Sequence, residues 1–332
     1  MLRSHKTFYF SMAVMLLAFS GIAVFYAWKA MQINNNLTSD ITVDNPAIHL
    51  VLISQEYDNP YWRLIQQGAR EMAILKGVEI EYLGPTQADV REHIKIIEMV
   101  IASKVDGIIT QGLDEKEFTP VINKAMSLGI PVITVDSDAP DSQRVAYVGT
   151  DNYTAGYMAG KELIQQSGGN ARVGIITGSF TASNQIDRVQ GFKDAVKAYP
   201  NIRVLDVTES NISRIQSAAS AYSIAQRYPE VDTFIGTSAL DGLGIVQMLK
   251  ESGDELVKGR ARIIAFDDLP ETLSYIDQGV IEATVVQQPY IMGQESVNLM
   301  LEYLQGKKIV TVFNTDTKVV RRADLTGTGE KQ

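Results

Sequence analysis

Cysteine is absent from the 332-residue chain, and histidine occurs only as His5, His49 and His93. Without cysteine there is no disulfide framework, thiolate nucleophile, thiolate zinc site or iron–sulfur cluster, and no anchor through a lipidated cysteine. The three histidines are scattered, one before an apolar run, one in an apparent strand and one in a polar helical stretch. They support neither a metal site nor a catalytic triad, and all three read as structural. An excess of basic residues is also missing. Lys and Arg number 30 against 39 Asp and Glu, a net charge of −9, which excludes broad nucleic-acid binding. No G-x-x-x-x-G-K-[ST], no G-x-G-x-x-G after a strand and no G-x-S-x-G occurs. Gly242-Leu-Gly244 lies inside a helical stretch and is not such a fingerprint. No metal and no cofactor are therefore expected. What is present is ordinary globular composition, 45% hydrophobic and 21% charged, over a length of about two domains.

Charge is missing in one further place. Thr7 to Trp28, TFYFSMAVMLLAFSGIAVFYAW, has none over 22 residues, ~33 Å of helix at ~1.5 Å per residue and enough to cross a bilayer. A cleaved secretory signal has a shorter apolar core of about 7–15 residues and a small-x-small site. Here the distal end is bulky, with Val24, Phe25, Tyr26 and Trp28, and the two last suit an interfacial aromatic belt. Residues 1–28 are therefore expected to be an uncleaved single-pass anchor in the cytoplasmic membrane. Arg3 and Lys6 hold the N-terminus inside, so the remainder lies on the extracytoplasmic side. Residues 29–45, polar and rich in Asn and Thr, read as a linker. The chain beyond is more acidic than the whole, which argues against adhesion to anionic lipid.

From His49 onward, short apolar runs alternate with helical stretches. Strands are expected at 49–53, 78–83, 107–110, 132–135 and 146–148, and again at 173–177, 203–207, 233–236, 263–266 and 283–286. Helices are expected at 60–76, 90–103, 153–166, 182–198, 214–228, 242–251 and 290–304, with 310–320 extended. Asn59 is a plausible N-cap and Pro60 fits a first helical turn. Strands separated by helices mean βαβ units and parallel sheets. Uninterrupted apolar strands such as VGIIT and RIIAF fit sheets covered on both faces. Two comparable strand sets give an α/β architecture of two doubly wound lobes.

Open parallel sheets bind ligands beyond the C-terminal ends of their strands, so the residues just after each strand carry the functional information. They are Asp58-Asn-Pro-Tyr-Trp62, Gln111-Gly112, Asp136-Ser-Asp138, Gly178–Asp187 followed by Arg188, Thr237-Ser-Ala239, Asp267-Asp268 and Gln287-Gln288. Rings, amides and carboxylates with one arginine suit a neutral polyol, whose C–H faces pack on rings and whose hydroxyls pair with charged acceptors. A phosphorylated ligand would want a glycine-rich loop and a helix N-terminus. Each residue also has a plain alternative. Tyr61 and Trp62 fit the core of the first helix, Asp136, Asp267 and Asp268 fit loops and caps, Arg188 a surface ion pair, and Gln287 a solvated strand end.

The segments DNPYW (58–62), GIPVITVDSD (129–138), VGTDNYTAGYMAG (148–160), DRVQGF (187–192), AFDDLP (265–270) and GVIEATVVQQP (279–289) resemble, in order and spacing, the type I periplasmic sugar-binding proteins of the ribose-binding group. The resemblance covers Ala47 to Leu325. It implies two α/β lobes crossed three times by the chain, 46–150 plus 288–316 and 151–287 plus 317–325, with a tail at 326–332, closing on a monosaccharide. Position by position it implies ligand contacts for Asn59, Tyr61, Trp62, Gln111, Asp136, Arg188, Asp267 and Gln287. Three positions depart. Ser137 stands where ribose binders have an arginine, Ser238-Ala239 replaces an Asn-Asp pair, and Ile212 falls near an expected aromatic. Asp138 is the candidate replacement for a lost hydrogen-bonding group, and Ser238 joins the candidate contacts.

A charge-free span with no cysteine resembles the tethered members that sense a sugar and partner a membrane histidine kinase; delivery to an ABC permease is the other use the family implies. A carbohydrate-active enzyme built on Asp136 and Asp267 is the alternative from a different class, and no catalytic motif supports it. A sugar-responsive repressor is excluded, because an apolar span occupies the place of a helix-turn-helix.

Overall fold

Side-chain alternation in the first strand, HLVLI, dictates a sheet buried on both faces: Leu50 and Leu52 point to one side, Val51 and Ile53 to the other. The computed structural model describes residues 48–252 and 261–326. Its elements run β1 (His49–Ile53), α1 (Pro60–Lys76), β2 (Glu79–Leu83), α2 (Val90–Ala102), β3 (Gly107–Thr110), α3 (Glu115–Ser127), β4 (Val132–Val135) and β5 (Ala146–Thr150). Then follow α4 (Asn152–Ser167), β6 (Ala171–Thr177), α5 (Ser183–Val196), β7 (Ile202–Glu209), α6 (Arg214–Arg227), β8 (Thr233–Gly236) and α7 (Asp241–Ser252). The last are β9 (Arg262–Phe266), α8 (Pro270–Asp277), β10 (Ala283–Val286), α9 (Pro289–Leu304), β11 (Val312–Thr315), β12 (Lys318–Arg321) and α10 (Arg322–Thr326). The expected anchor at Thr7–Trp28, the linker and residues 327–332 lie outside the described residues. Among the described residues, no helix is long and apolar enough to cross a membrane.

The strands form two six-stranded sheets, ordered β11-β5-β4-β3-β1-β2 and β12-β10-β9-β8-β6-β7. The orders correspond strand for strand. Leu50 and Leu52 pack with Ile65 and Ala69 of α1 and Met292 and Met300 of α9. Val51 and Ile53 pack on the other face with Ile97 of α2 and Phe118 of α3. The second sheet repeats this, with Ile175 and Phe266 against Ala155 of α4 and Phe192 of α5, and Phe234 and Ile263 against Ile224 of α6 and Ile245 of α7.

The chain passes between the sheets three times, after β5, after β10 and between β11 and β12. Every crossing leaves from the C-terminal end of a strand, so all three lie beside the crevice where such sheets bind ligands.

Two helices and one strand direction differ from the sequence expectation. The α3 helix is not among the expected helices; its first turn is charged and Pro120 lies within it. Asp114 nonetheless caps it, accepting from the backbone N–H of Lys116 at 3.0 Å and of Glu117 at 3.1 Å, and Phe118, Val121 and Ile122 bury its apolar face. The short α8 was missed for its length. The second sheet is not wholly parallel: β12 pairs antiparallel with β10. Two residues join it to β11, which is parallel to β5; a chain leaving the first sheet at its ligand end must enter the second from that end, against its other strands.

Glycines let paired helices touch. A Cβ on Gly156 of α4 would lie 2.0 Å from the Arg188 carbonyl oxygen of α5, and one on Gly293 of α9 2.0 Å from that of Ile65 in α1. Both obstacles are backbone and cannot rotate away. Gly156→Ala should therefore destabilise the fold by about 1–3 kcal/mol through forced separation of the helices, read as a lowered midpoint in thermal unfolding. An unchanged midpoint would show that the helix pair has slack.

Candidate functional site

Asp136 and Asp267 sit at the ends of the equivalent strands β4 and β9, and both have positive φ, 67° and 66°. This left-handed backbone costs of order 1–3 kcal/mol for a residue other than glycine, and aspartate tolerates it better than most. Each is fixed by its backbone N–H, which bonds Val148 O at 3.0 Å for Asp136 and Val285 O at 2.8 Å for Asp267. At Asp136 the turn is closed further by Ser137 N–H to Val135 O, 2.8 Å. Both carboxylates line one cleft between the sheets.

On the first-sheet side, Asn59 caps α1 by accepting from Tyr61 N–H at 3.0 Å, which places Tyr61 and Trp62 at the cleft wall. Their rings meet edge to face, centroids 6.3 Å apart at 80°. The Tyr61 hydroxyl donates to Asp136 Oδ1 at 2.7 Å, and Gln111 Nε2 donates to Oδ2 at 2.9 Å. From the second-sheet side, Asn184 Nδ2 also donates to Asp136 Oδ2, at 3.2 Å, so the cleft is closed across one carboxylate.

Arg188 is 2% exposed. Its guanidinium lies 4.7 Å above the Phe266 ring and donates to Asn152 Oδ1 at 2.9 Å, Thr237 O at 2.8 Å and Gln287 Oε1 at 2.6 Å. Gln287 donates its Nε2 to Asp267 Oδ1 at 2.9 Å and accepts from Thr150 Oγ1 at 2.8 Å. Thr150, Asn152 and Gln287 border the first two crossings, so the groups that face the cleft are bonded directly to the chain segments that join the lobes.

Burial pushes Asp267 up to about 7, against the pull of Arg188 and Gln287. Burial likewise raises Asp136, with Arg188, Tyr61 and Gln111 opposing it, and holds the Tyr61 phenol well above its ordinary value. Among the described residues, three buried polar atoms in or beside the cleft have no partner: Gln111 Oε1, Asn184 Oδ1 and Ser238 Oγ. Paired acceptors, amides and aromatic walls around a charge-balanced centre match a neutral ligand carrying many hydroxyls.

Comparison with known proteins agrees. The profile of the periplasmic binding protein domain matches residues 50–308, most of the chain. The chain belongs to the type I periplasmic sugar-binding proteins. Over 262 residues it is 23% identical to the ribose import binding protein RbsB of Bacillus subtilis, covering 79% of this chain and 83% of that protein. The crystal structure of GanP, a glucose-galactose binding protein from Geobacillus stearothermophilus, superposes with a TM-score of 0.81 at 50% identity, over 84% of this chain and 99% of GanP. The structure of the XylFII–LytSN complex matches with a TM-score of 0.78 at 39% identity, over 83% of this chain and 98% of that one. RbsB and GanP are named as sugar-binding proteins, and this family member is likewise not an enzyme.

Of the sequence candidates, Asn59, Tyr61, Trp62, Asp136, Arg188, Ser238, Asp267 and Gln287 line the cleft. The others lie behind it. Gln111 supports Asp136; Ser137 turns away to donate to Gly112 O at 3.0 Å; Asp138 pairs with Arg144 instead of facing the cleft. Tyr61 and Trp62 belong to the first core and to the cleft wall at once, so the two readings of them coexist. His93 is structural: it is fully buried, its Nε2 is 2.8 Å from Thr110 Oγ1, and burial lowers it to about 3. Among the described residues no cluster of three or more acidic, His or Cys side chains could hold a metal ion.

Sequence reasoning did not single out Gln55, Asn184 and Gln185, which also line the cleft. Asn184 was within reach, since it precedes Arg188 by four residues and shares its helix face. Gln185 accepts from Gly178 N–H at 3.1 Å and from Thr237 Oγ1 at 2.6 Å, which fastens the second-sheet wall.

The raised Asp267 links stability to pH. Between the ordinary carboxylate value and about 7 the folded chain holds a proton that the unfolded chain has released, so this stabilising contribution is present at low pH and lost as pH rises through about 7. The ligand-free protein should lose thermal stability from pH 5 to 8, and Asp267→Asn should flatten that slope. Equal slopes for the two proteins would disprove the assignment.

Proposed function

We propose that this protein binds a neutral monosaccharide in the Asp136–Arg188–Asp267 cleft and reports its presence to a membrane partner. The observation that carries the ligand class is the pair of buried carboxylates around one buried guanidinium, walled by Tyr61 and Trp62. GanP, whose name states glucose and galactose binding, makes an aldohexose the first candidate to test. The lobes we assign are 46–150 with 288–316 and 151–287 with 317–325, closing about the three crossings.

The charge-free segment Thr7–Trp28 supports a single-pass tether that holds the lobes on the extracytoplasmic face. A tether suits a fixed sensor better than a diffusing carrier, and XylFII, a relative, forms a complex with a second protein, LytSN. On this reading the partner is a membrane sensor histidine kinase. Delivery to an ABC permease is the second reading, favoured by the relative named as a ribose import binding protein.

Calorimetry on the full chain in detergent against a panel of monosaccharides is the direct test. At least one sugar should bind, and Asp136→Asn should weaken it tenfold or more, as expected for a charge-assisted bond of about 1.5–3 kcal/mol. Failure of every sugar, or an unchanged affinity in Asp136→Asn, would refute the cleft as the site. Detergent co-purification with a kinase rather than a permease would support sensing, and a permease alone would sink it.

A further inference from the structure

We propose that Ser183 and Asp138 form a clasp across the lip of the cleft that sets how readily the lobes close, without touching the ligand. Ser183 opens α5 on the second-sheet side. Its hydroxyl donates to the Asp138 carbonyl oxygen at 2.9 Å and accepts from the Asp138 N–H at 3.2 Å. One side chain thus satisfies both backbone groups of a single residue on the opposite lobe. Thr181 Oγ1, donating to Leu113 O at 3.4 Å, extends the contact along the lip.

The first-lobe half of the clasp is held rigid. The Asp138 carboxylate is gripped through both oxygens by Arg144, accepts from Thr134 Oγ1 at 2.6 Å and from Ala139 N–H at 2.8 Å. This ion pair is largely buried, its side chains 10% and 17% exposed. Arg144 also donates to Thr311 O at 3.2 Å, just ahead of β11, the strand that makes the third crossing. Gly112 completes the support: a Cβ there would fall 2.6 Å from the Asp138 carbonyl oxygen, so glycine admits the loop that Ser183 grips. Asp138 and Arg144 are therefore positioning residues that act through Ser183, and the carboxylate that sequence reasoning assigned to the sugar serves closure instead.

A contact present only in the closed form stabilises that form for every ligand equally. Removing it raises the apparent dissociation constant and leaves the ranking of ligands untouched. The inference rests on the cleft being the sugar site only for its ligand-bound arm.

The absence of native cysteine allows two fluorophores to be placed on Leu128→Cys and Ile215→Cys, exposed positions of the first and second lobes. Energy transfer between them reports closure of the full chain in detergent. Ser183→Ala should lower the closed fraction without sugar and shift the sugar midpoint upward by about three- to tenfold, the loss of one or two neutral hydrogen bonds, by the same factor for each sugar that binds. Arg144→Gln should act in the same direction, and the double variant should fall short of the combined single effects, because both changes remove one contact. Full additivity would leave Arg144 a merely structural residue and overturn its role. A shift that differs between sugars would make Ser183 a ligand contact and overturn the clasp. So would identical behaviour of Ser183→Ala and the parent chain in both arms. If no sugar closes the parent chain, the sugar reading fails, and the ligand-free closed fraction alone decides the clasp.

Discussion

One buried guanidinium between two buried carboxylates constrains everything around the cleft. Arg188, Asp136 and Asp267 are each under one-tenth exposed, and an isolated ion at such a site would be several kcal/mol less stable than in water. Arg188 bonds neither carboxylate directly. It spends its donors on Asn152, Thr237 and Gln287, and its charge stabilises the carboxylates at a distance. Burial raises Asp267 to about 7 against the pull of Arg188, with the charges of Asp136 and Asp268 adding to the rise, which relieves the excess of two anions over one cation. The surrounding amides and hydroxyls follow from this arrangement. Each charged group needs partners, and those partners reach back to Thr150, Asn152 and Gln287, where the chain changes sheets.

The near-equivalence of the two sheets explains how a single site acquires two aspartates of matching backbone. The strands β4 and β9 occupy the same place in their sheets, and the left-handed turn after each redirects the side chain from the strand axis into the crevice. A strained turn persists only where its surroundings over-determine it. Here the adjacent strand supplies that restraint, through Val148 for one and Val285 for the other. The edge strands break the correspondence: β11 runs parallel and β12 antiparallel, because two residues suffice to pass between sheets only if the chain reverses relative to the second.

Much of this was legible in the residues. Apolar runs bounded by polar strand ends located most strands, Asn59-Pro60 marked the start of α1, and the rule that ligands lie beyond strand C-termini pointed to Asp136, Asp267 and Gln287. Direction after a strand end was less legible. Asp136 and Asp138 are two residues apart, yet one faces the cleft and the other Arg144, and only the left-handed turn at Asp136 decides which. Arg144 lies six residues further on, in a stretch with no periodic pattern to place it. The α3 helix was hidden by Pro120, whose local cost is outweighed by a capped first turn and the burial of Phe118. Asn184 was hidden because it looks like any polar residue near a helix start until Arg188, one turn on, fixes the face.

Closure of such a cleft must be nearly balanced if a small ligand is to control it. Moving a two-state equilibrium from 1:99 to 99:1 takes about 5.5 kcal/mol of differential binding. Asn184 Oδ1 and Ser238 Oγ at the cleft wall, and Gln111 Oε1 behind it, are buried and unpartnered among the described residues, and each such group costs about 1–3 kcal/mol. On the proposed reading, the two at the wall lose water when the lobes close, which opposes closure by an amount of the size a ligand must supply. A polyol that donates to the Asn184 amide oxygen and exchanges a hydrogen bond with the Ser238 hydroxyl then removes that penalty, which is the differential affinity a switch requires. An apolar solute of the same size would leave both wall atoms unpaired and shift nothing. On that reading, selectivity for hydroxylated ligands and the power to drive closure have one physical source: polar atoms that folding leaves unsatisfied at the cleft wall.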